Sequence, residues 1–186
     1  MRIDDLEKLP ERQREQAAEV LVEGFRHSPS AWSDLKSARE EVAAFSRPER
    51  IAYVAIEDEI VVGWIGAIKH SDELWELHPL VVRPGRQGRG IGRTLVEVLE
   101  AEARSDGVCT VYLGTDDDFG GTDLFGENLY PNVLGRLQRL QVVSRHPFVF
   151  FEKMGFVVVG VIPDASGLGK PDIMMAKRVR PPVMDE

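Results

Sequence analysis

The chain has 186 residues, 43% of them hydrophobic and 29% charged, and carries a net charge of −8 at neutral pH. That length suits one domain able to bury a proper core, and the acidic balance argues against a nucleic-acid partner, because phosphate backbones select basic surfaces. No apolar run reaches the length of a membrane span, and Met1-Arg2-Ile3-Asp4-Asp5 lacks the apolar stretch of a signal peptide, so a cytoplasmic protein with no membrane partner is expected.

Ala17, Ala18, Leu21 and Phe25 recur at helical spacing and predict a first helix over 11–25. A second helix is expected over 34–45, with Ser37 and Glu40 at capping-box spacing. The period then changes. Strands are predicted over 51–56, 60–68 and 75–83, with Glu57-Asp58-Glu59 as the turn between the first two. A helix over 90–104 and a strand over 108–114 follow. Cys109 falls in that strand and is expected to be a buried, inert thiol; as the single cysteine it excludes an internal disulfide. Residues 116–128 are polar and contain Gly120-Gly121, so they form a loop, and 129–143 reads as helical. A short helix over 147–154 ends at Gly155. Strands over 156–162 and 172–178 close the chain, separated by a turn-rich Pro163-Asp164-Ala165-Ser166-Gly167, and the Pro181-Pro182 tail reads as irregular. There is no internal repeat and no linker long enough to divide the chain, so a single domain over 1–186 is expected, with a mixed α/β fold.

The most informative stretch is Arg86-Gln87-Gly88-Arg89-Gly90-Ile91-Gly92, which follows Leu80-Val81-Val82 and a Pro84-Gly85 turn and opens into the helical period at Ile91, Leu95, Val98 and Leu99. Amides at a helix N-terminus are unsatisfied and carry a partial positive charge, and glycines let a phosphate approach the backbone. Arg86, Arg89 and Arg93 add cationic side chains at the mouth. The loop is neither a Walker A loop, which closes on Gly-Lys-Ser/Thr, nor a dinucleotide fingerprint, which leaves two residues before its last glycine. A tight strand-to-helix turn would also demand glycine.

Glu76 and His78 lie two apart on a predicted strand, so both side chains share a face, where a carboxylate and an imidazole can bind an ammonium and relay its proton. A surface ion pair fits the same spacing. Asp116, Asp117 and Asp118 follow a strand end, extended by Asp123 and Glu127, and could hold a polycation or be a solvated turn. No histidine or further carboxylate stands at ligand spacing beside them, which disfavours a metal. Net acidity suits a cationic substrate or plain solubility equally. Phe25 and Trp32 either wall such a site or, for Phe25, belong to the core.

Gln87-x-x-Gly90-x-Gly92 resembles the Q/R-x-x-G-x-G/A signature of the GNAT acyltransferases. Further blocks resemble the aminoglycoside 6′-N-acetyltransferases, in the branch of small dimeric enzymes found in enterococci. They are Pro48-Glu49-Arg50-Ile51-Ala52, Trp64-Ile65-Gly66-Ala67-Ile68, Trp75 to Val82, Tyr112 to Asp117, His146-Pro147, Glu152 to Phe156, Val159 to Pro163, Gly169 to Ile173 and Met175-Ala176-Lys177. The resemblance runs from about residue 48 to 178. It implies a central, mostly antiparallel mixed sheet flanked by helices, with acetyl-coenzyme A as the cosubstrate, no metal, and a homodimer. It implies that Gln87, Gly88, Arg89, Gly90, Ile91 and Gly92 cradle the pyrophosphate. The backbone of Leu80, Val81 and Val82 holds the thioester carbonyl and pantetheine, and Phe151 lies against the coenzyme. Glu76 and His78 become the catalytic pair, and Phe25, His70, Glu76, Asp116 and Asp117 the acceptor site. Two positions depart from the branch: Phe151 replaces a tyrosine credited with protonating the coenzyme thiolate, and His70 replaces an aromatic residue set against the sugar rings.

The expectation is therefore direct acetyl transfer from acetyl-coenzyme A to a primary amine, the 6′-amine of an aminoglycoside. No cysteine is placed to carry an acyl intermediate. The alternatives are a GNAT enzyme for a polyamine, peptide or protein amine, and a non-catalytic acetyl-coenzyme A-binding module, which the missing Phe151 hydroxyl favours.

Overall fold

The computed structural model describes residues 1–28 and 31–180; the reading of Pro181-Pro182 lies outside them. The described chain gathers into two compact units, one holding Met1–Val111 with 178–180 and the other Tyr112–Lys177. The division falls inside a strand rather than in a linker.

The first unit starts with β1 (Arg2–Asp5), which the sequence did not announce because four mostly polar residues carry no period. It pairs antiparallel with β2 (Arg50–Glu57), which pairs with β3 (Ile60–Lys69), which pairs with β4 (Leu74–Val82). The β2–β3 turn is two residues, Asp58 and Glu59, both at positive φ (48° and 64°), the turn geometry whose twist matches flanking strands. Arg2 and Gln13 hold the Glu59 carboxylate from outside.

Three helices cover this sheet: α1 (Glu11–Gly24), α2 (Leu35–Ala44) and α3 (Ile91–Ser105). Both α1 and α3 pack on β3, whose side chains from Val61 to Ala67 are buried on both faces. On the α1 side the core joins Ala17, Val20 and Leu21 to Val54, Trp64 and Val81. Trp64 is fully buried, and its indole N–H is satisfied by the Ala17 carbonyl at 3.1 Å, so the large ring carries no unpaired donor into the core. The α2 cap is Asp34, whose carboxylate accepts the Ser37 N–H at 2.8 Å; the capping residue stands three positions before the Ser37 expected from the sequence.

The second unit holds most of β5 (Thr110–Asp116), then α4 (Val133–Leu137), α5 (Phe148–Lys153), β6 (Val157–Ile162) and β7 (Asp172–Arg178), with β7 between β5 and β6. The helix expected over 129–143 shrinks to the five residues of α4. None of those five is buried, so no apolar stripe rewards a longer helix, and Pro131 precedes it. Cys109 just precedes β5 and is half-buried, not buried as expected.

β4 contains one residue more than β3 across from it. Ile65 pairs with Leu80 but Ala67 pairs with Leu77, which leaves His78 and Pro79 opposite Gly66. Proline, with no N–H to give the ladder, suits a bulge. A side chain at Gly66 would begin 2.4 Å from the Phe45 ring and 2.6 Å from the His78 carbonyl oxygen. Gly66→Ala is expected to destabilise the fold by about 2 kcal/mol or more, the scale of overpacking a dense core, measured as a lower midpoint in urea. An unchanged midpoint would mean that Phe45 moves aside at no cost.

Candidate active site

Gly88 and Gly90 take left-handed φ values of 75° and 85°, and nothing stands within 4 Å of where their side chains would begin. Gly90 is the N-cap of α3, supplies no side-chain cap, and is followed by no acidic residue in the first turn. The first amides of a 15-residue helix thus open toward free space with their dipole uncompensated. Gln87 ties the loop to the end of β4, donating to the Val82 carbonyl at 3.1 Å. The arginines divide. Arg86 is held by Glu57 at 2.8 Å and Arg83 by Glu23 at 2.6 Å, whereas Arg89 and Arg93 are exposed and make no ion pair among the described residues. The sequence placed Arg86 at the mouth; Glu57 takes it instead.

The bulge decides which way β4 faces. Glu76 lies opposite Ile68 and Val81 opposite Trp64, two β3 residues of one face, although 76 and 81 differ by an odd number. The extra residue at 78–79 reverses the alternation, so Glu76 and Val81 share the α1 side while Leu80, opposite Ile65, turns to the other. Glu76 and His78, two apart and N-terminal to the reversal, keep the shared face expected of them. They do not meet as a pair, however. Glu76 accepts or shares a proton with the His70 Nε2 at 2.8 Å, His70 lying in the β3–β4 turn. The His78 Nε2 lies 3.6 Å from the Glu41 carboxylate on α2, and its ring meets Trp32 at 5.5 Å between centroids. Trp32 in turn meets Phe25 edge-on at 5.1 Å. Phe25 is half-buried at the C-cap of α1, partly packed on the core and partly part of this aromatic wall.

The second unit holds the carboxylates in two environments. Asp116 ends β5 instead of following it, is exposed, and accepts from the Ser166 hydroxyl at 2.5 Å. Asp117 is 1% exposed, and its carboxylate accepts the Gly121 N–H at 2.7 Å, the Thr122 N–H at 2.9 Å and the Thr122 hydroxyl at 2.7 Å. Those bonds fold the 117–122 loop onto a buried charge, so the carboxylate expected to meet a cationic acceptor has its hydrogen bonds within the loop. Asp118 is also buried, with Lys170 at 3.9 Å. Phe151 is 7% exposed and edge-on to Phe150 at 5.2 Å and Phe156 at 5.6 Å, an apolar side chain in an apolar cluster.

Residues 8–123 match the Acetyltransferase (GNAT) family. The chain belongs to the GNAT acetyltransferase family. Among solved structures it is similar to an aminoglycoside 6′-N-acetyltransferase complexed with coenzyme A, at 39% identity over 100% of both chains with a TM-score of 0.88. It is equally similar, at 39% identity and a TM-score of 0.87 over 100% of both chains, to the aminoglycoside 6′-N-acetyltransferase from Enterococcus faecium. An aminoglycoside 6′-acetyltransferase of type Ii follows at 36% identity over 98% of this chain and 99% of that one, with a TM-score of 0.75. No curated protein matches. The mixed α/β GNAT fold and the acetyltransferase assignment expected from the sequence are both confirmed.

Two polar residues of this GNAT chain escaped the sequence reading. Glu41 was missed although Ala38, Glu41, Val42 and Phe45 form one helical stripe, in which a carboxylate is the odd member. His146 was quoted only as part of a motif. It is 5% exposed, and the Phe148 N–H donates to its Nδ1 at 3.2 Å at the start of α5. Its proton therefore sits on Nε2, which is buried and has no hydrogen-bond partner among the described residues. Burial pushes the His146 pKa below its ordinary 6.5, against the opposing pull of Asp117 and Asp116. As pH falls through about 6.5 the unfolded chain gains a proton that the folded one still refuses, so stability declines until the lower folded value is reached. Thermal denaturation between about pH 7.5 and 5.5 should lose midpoint more steeply in the wild type than in His146→Gln; parallel curves would remove His146 from the linkage.

Proposed function

We propose that this protein transfers the acetyl group of acetyl-coenzyme A to a primary amine, the 6′-amine of an aminoglycoside, and so acts as an antibiotic-resistance enzyme. The observation that carries the acceptor is the full-length likeness to a 6′-N-acetyltransferase holding coenzyme A. The acyl donor is supported by the open, glycine-lined N-terminus of α3, where Gly88 to Gly92 offer amides and Arg89 and Arg93 offer charge to a pyrophosphate. Gln87 shapes that loop. Leu80, Val81 and Val82 supply the backbone for the thioester and pantetheine.

The reaction needs a neutral amine. Its lone pair attacks the thioester carbonyl carbon; the C–N bond forms, the C–S bond breaks, and the acetyl group leaves sulfur for nitrogen. The ammonium proton passes to the Glu76–His78 face through water. Glu76 attracts the cationic acceptor, with Phe25, Trp32 and His70 around it. His70, already hydrogen-bonded to Glu76, takes the place of the aromatic expected there and gives the acceptor a polar neighbour. The thiolate takes its proton from solvent, since Phe151 has none to give. An unperturbed thiol pKa near 8.5 makes that departure easy without a dedicated acid.

The proposed assembly is a homodimer in the cytoplasm, with no nucleic-acid or membrane partner and no metal. Support for the dimer is the edge strand β6, where Val157, Val159 and Ile162 are exposed by 61%, 58% and 49%. An exposed apolar edge in a soluble protein calls for a cover.

The function is tested by thiol release from acetyl-coenzyme A with kanamycin as acceptor. Turnover is expected; turnover only with polyamines or peptide amines would move the acceptor, and coenzyme binding without turnover on any amine would leave a binding module. Glu76→Gln should lower kcat/KM for the acceptor roughly ten- to a hundredfold, the scale of about 1.5–3 kcal/mol for a hydrogen bond to charge. Coenzyme affinity should barely move, and equal losses for both ligands would mark Glu76 as structural. Gly90→Val has room for its side chain but not for its backbone angle, so the cap must re-form and turn its amides. Titration calorimetry should show coenzyme A binding weakened at least about tenfold, two kinds of amide contact at roughly 1 kcal/mol each being lost. Unchanged affinity in a folded variant would remove the loop from the coenzyme site.

A further inference from the structure

We infer that Glu41 is a positioning residue for His78: its carboxylate fixes which imidazole nitrogen carries the proton and thereby leaves the other as the proton acceptor. The inference rests on the reading of His78 as a member of the acceptor site.

Glu41 sits on the apolar stripe of α2, a costly place for a charge unless it is paired. Its side chain is 16% exposed, and Arg50 at the start of β2, itself 18% exposed, donates to it at 2.7 Å. The Arg50 guanidinium lies over the Phe45 ring, 5.2 Å from the centroid, and Phe45 is edge-on to Trp64 at 5.3 Å. The carboxylate is thus anchored through Arg50 and Phe45 to the core. The second neighbour of that carboxylate is the His78 Nε2 at 3.6 Å, a separation that one bridging water or a small ring rotation converts to hydrogen bonding. Trp32 packs against the same ring. His78 therefore has an aromatic wall and a fixed anion, and neither belongs to its own strand.

The chemical consequence is a choice of tautomer. A neutral imidazole carries one proton, and an adjacent carboxylate draws it to the facing nitrogen. With Nε2–H turned to Glu41, the lone pair stays on Nδ1. When Nδ1 accepts a proton from the acceptor amine, the imidazolium formed is stabilised by the same carboxylate, and no other co-reactant is needed. A carboxylate that merely neutralised Arg50 would not have to stand beside an imidazole.

The test is a double-mutant cycle on the full-length protein with acetyl-coenzyme A and kanamycin, joined to nitrogen-15 spectra of the histidine rings. His78→Ala and Glu41→Gln should each lower kcat, Glu41→Gln by roughly five- to tenfold, the lower end of what a misplaced general base costs. The KM for the thioester should be unchanged. In the His78→Ala background, Glu41→Gln should have no further effect. The spectra should show His78 with its proton on Nε2 in the wild type and a mixture of tautomers in Glu41→Gln. Because Glu41→Gln leaves Arg50 unpaired and half-hidden, the double variant Glu41→Gln/Arg50→Gln is measured as well, and the same loss is expected. Equal losses from Glu41→Gln with and without His78 would overturn the inference, as would an unchanged tautomer. Unaltered kcat in His78→Ala would overturn the reading of His78 as the proton acceptor alone, an outcome distinguishable because the tautomer would still respond to Glu41.

Discussion

A β-carbon at Gly66 would collide with the Phe45 ring and with the His78 carbonyl, and the arrangement of the face that carries Glu76 and His78 follows from that crowding. The missing side chain lets Phe45 lie under β3 and lets β4 fit two residues, His78 and Pro79, opposite one. A two-against-one mismatch reverses the side-chain alternation of the strand. Glu76 and His78 precede the reversal and face α1 and α2; Leu80 follows it and faces away. Without the bulge, strict alternation would send either the polar pair or Val81 to the wrong side, because both must stand on the α1 face. One extra residue thus reconciles a polar site and an apolar core on a single strand face.

The same crowding explains why charge is tolerated so close to that core. Phe45 supports Arg50 through its ring, Arg50 holds Glu41, and Glu41 faces His78. Each charge is paired and only partly buried, so desolvation is shared rather than borne by one ion. Ion pairs of this kind contribute little net stability; what they contribute is fixed orientation.

The long periodic elements were legible in the sequence. Helices α1 and α3 and strands β2 to β4 were placed within two residues at each end, because their apolar periods are sustained and their turns carry glycine, proline or paired acids. What escaped had no period to read. β1 is four residues whose only reason to be extended is its partner β2. α4 failed as a long helix because helical composition without a face to bury does not hold a helix. Site residues divide the same way. The Gly88-to-Gly92 loop and the shared face of Glu76 and His78 depend on local backbone geometry, which sequence spacing encodes. The partners of those side chains depend on tertiary approach. Spacing could not reveal that His70 takes Glu76, that Glu41 from another helix takes His78, or that Asp117 spends its charge on three loop donors while its neighbour Asp116 stays exposed.

A net charge of −8 and an uncapped helix N-terminus flanked by Arg89 and Arg93 are compatible because the two act over different distances. The field of the whole chain is screened beyond about 8 Å at physiological ionic strength, so it steers a cation on approach and adds little at contact. A phosphate at the α3 N-terminus would meet only what lies within a few ångströms. On the segment leading into the loop, two arginines are already paired with acids: Arg86 with Glu57 and Arg83 with Glu23. What remains unneutralised is positive, namely the first amides of α3, Arg89 and Arg93. Of the three arginines that the sequence set at the mouth, Arg86 is taken by Glu57, while Arg89 and Arg93 make no ion pair among the described residues. Those ion pairs occupy Arg83 and Arg86, so the charge left for a phosphate comes from Arg89, Arg93 and the helix itself.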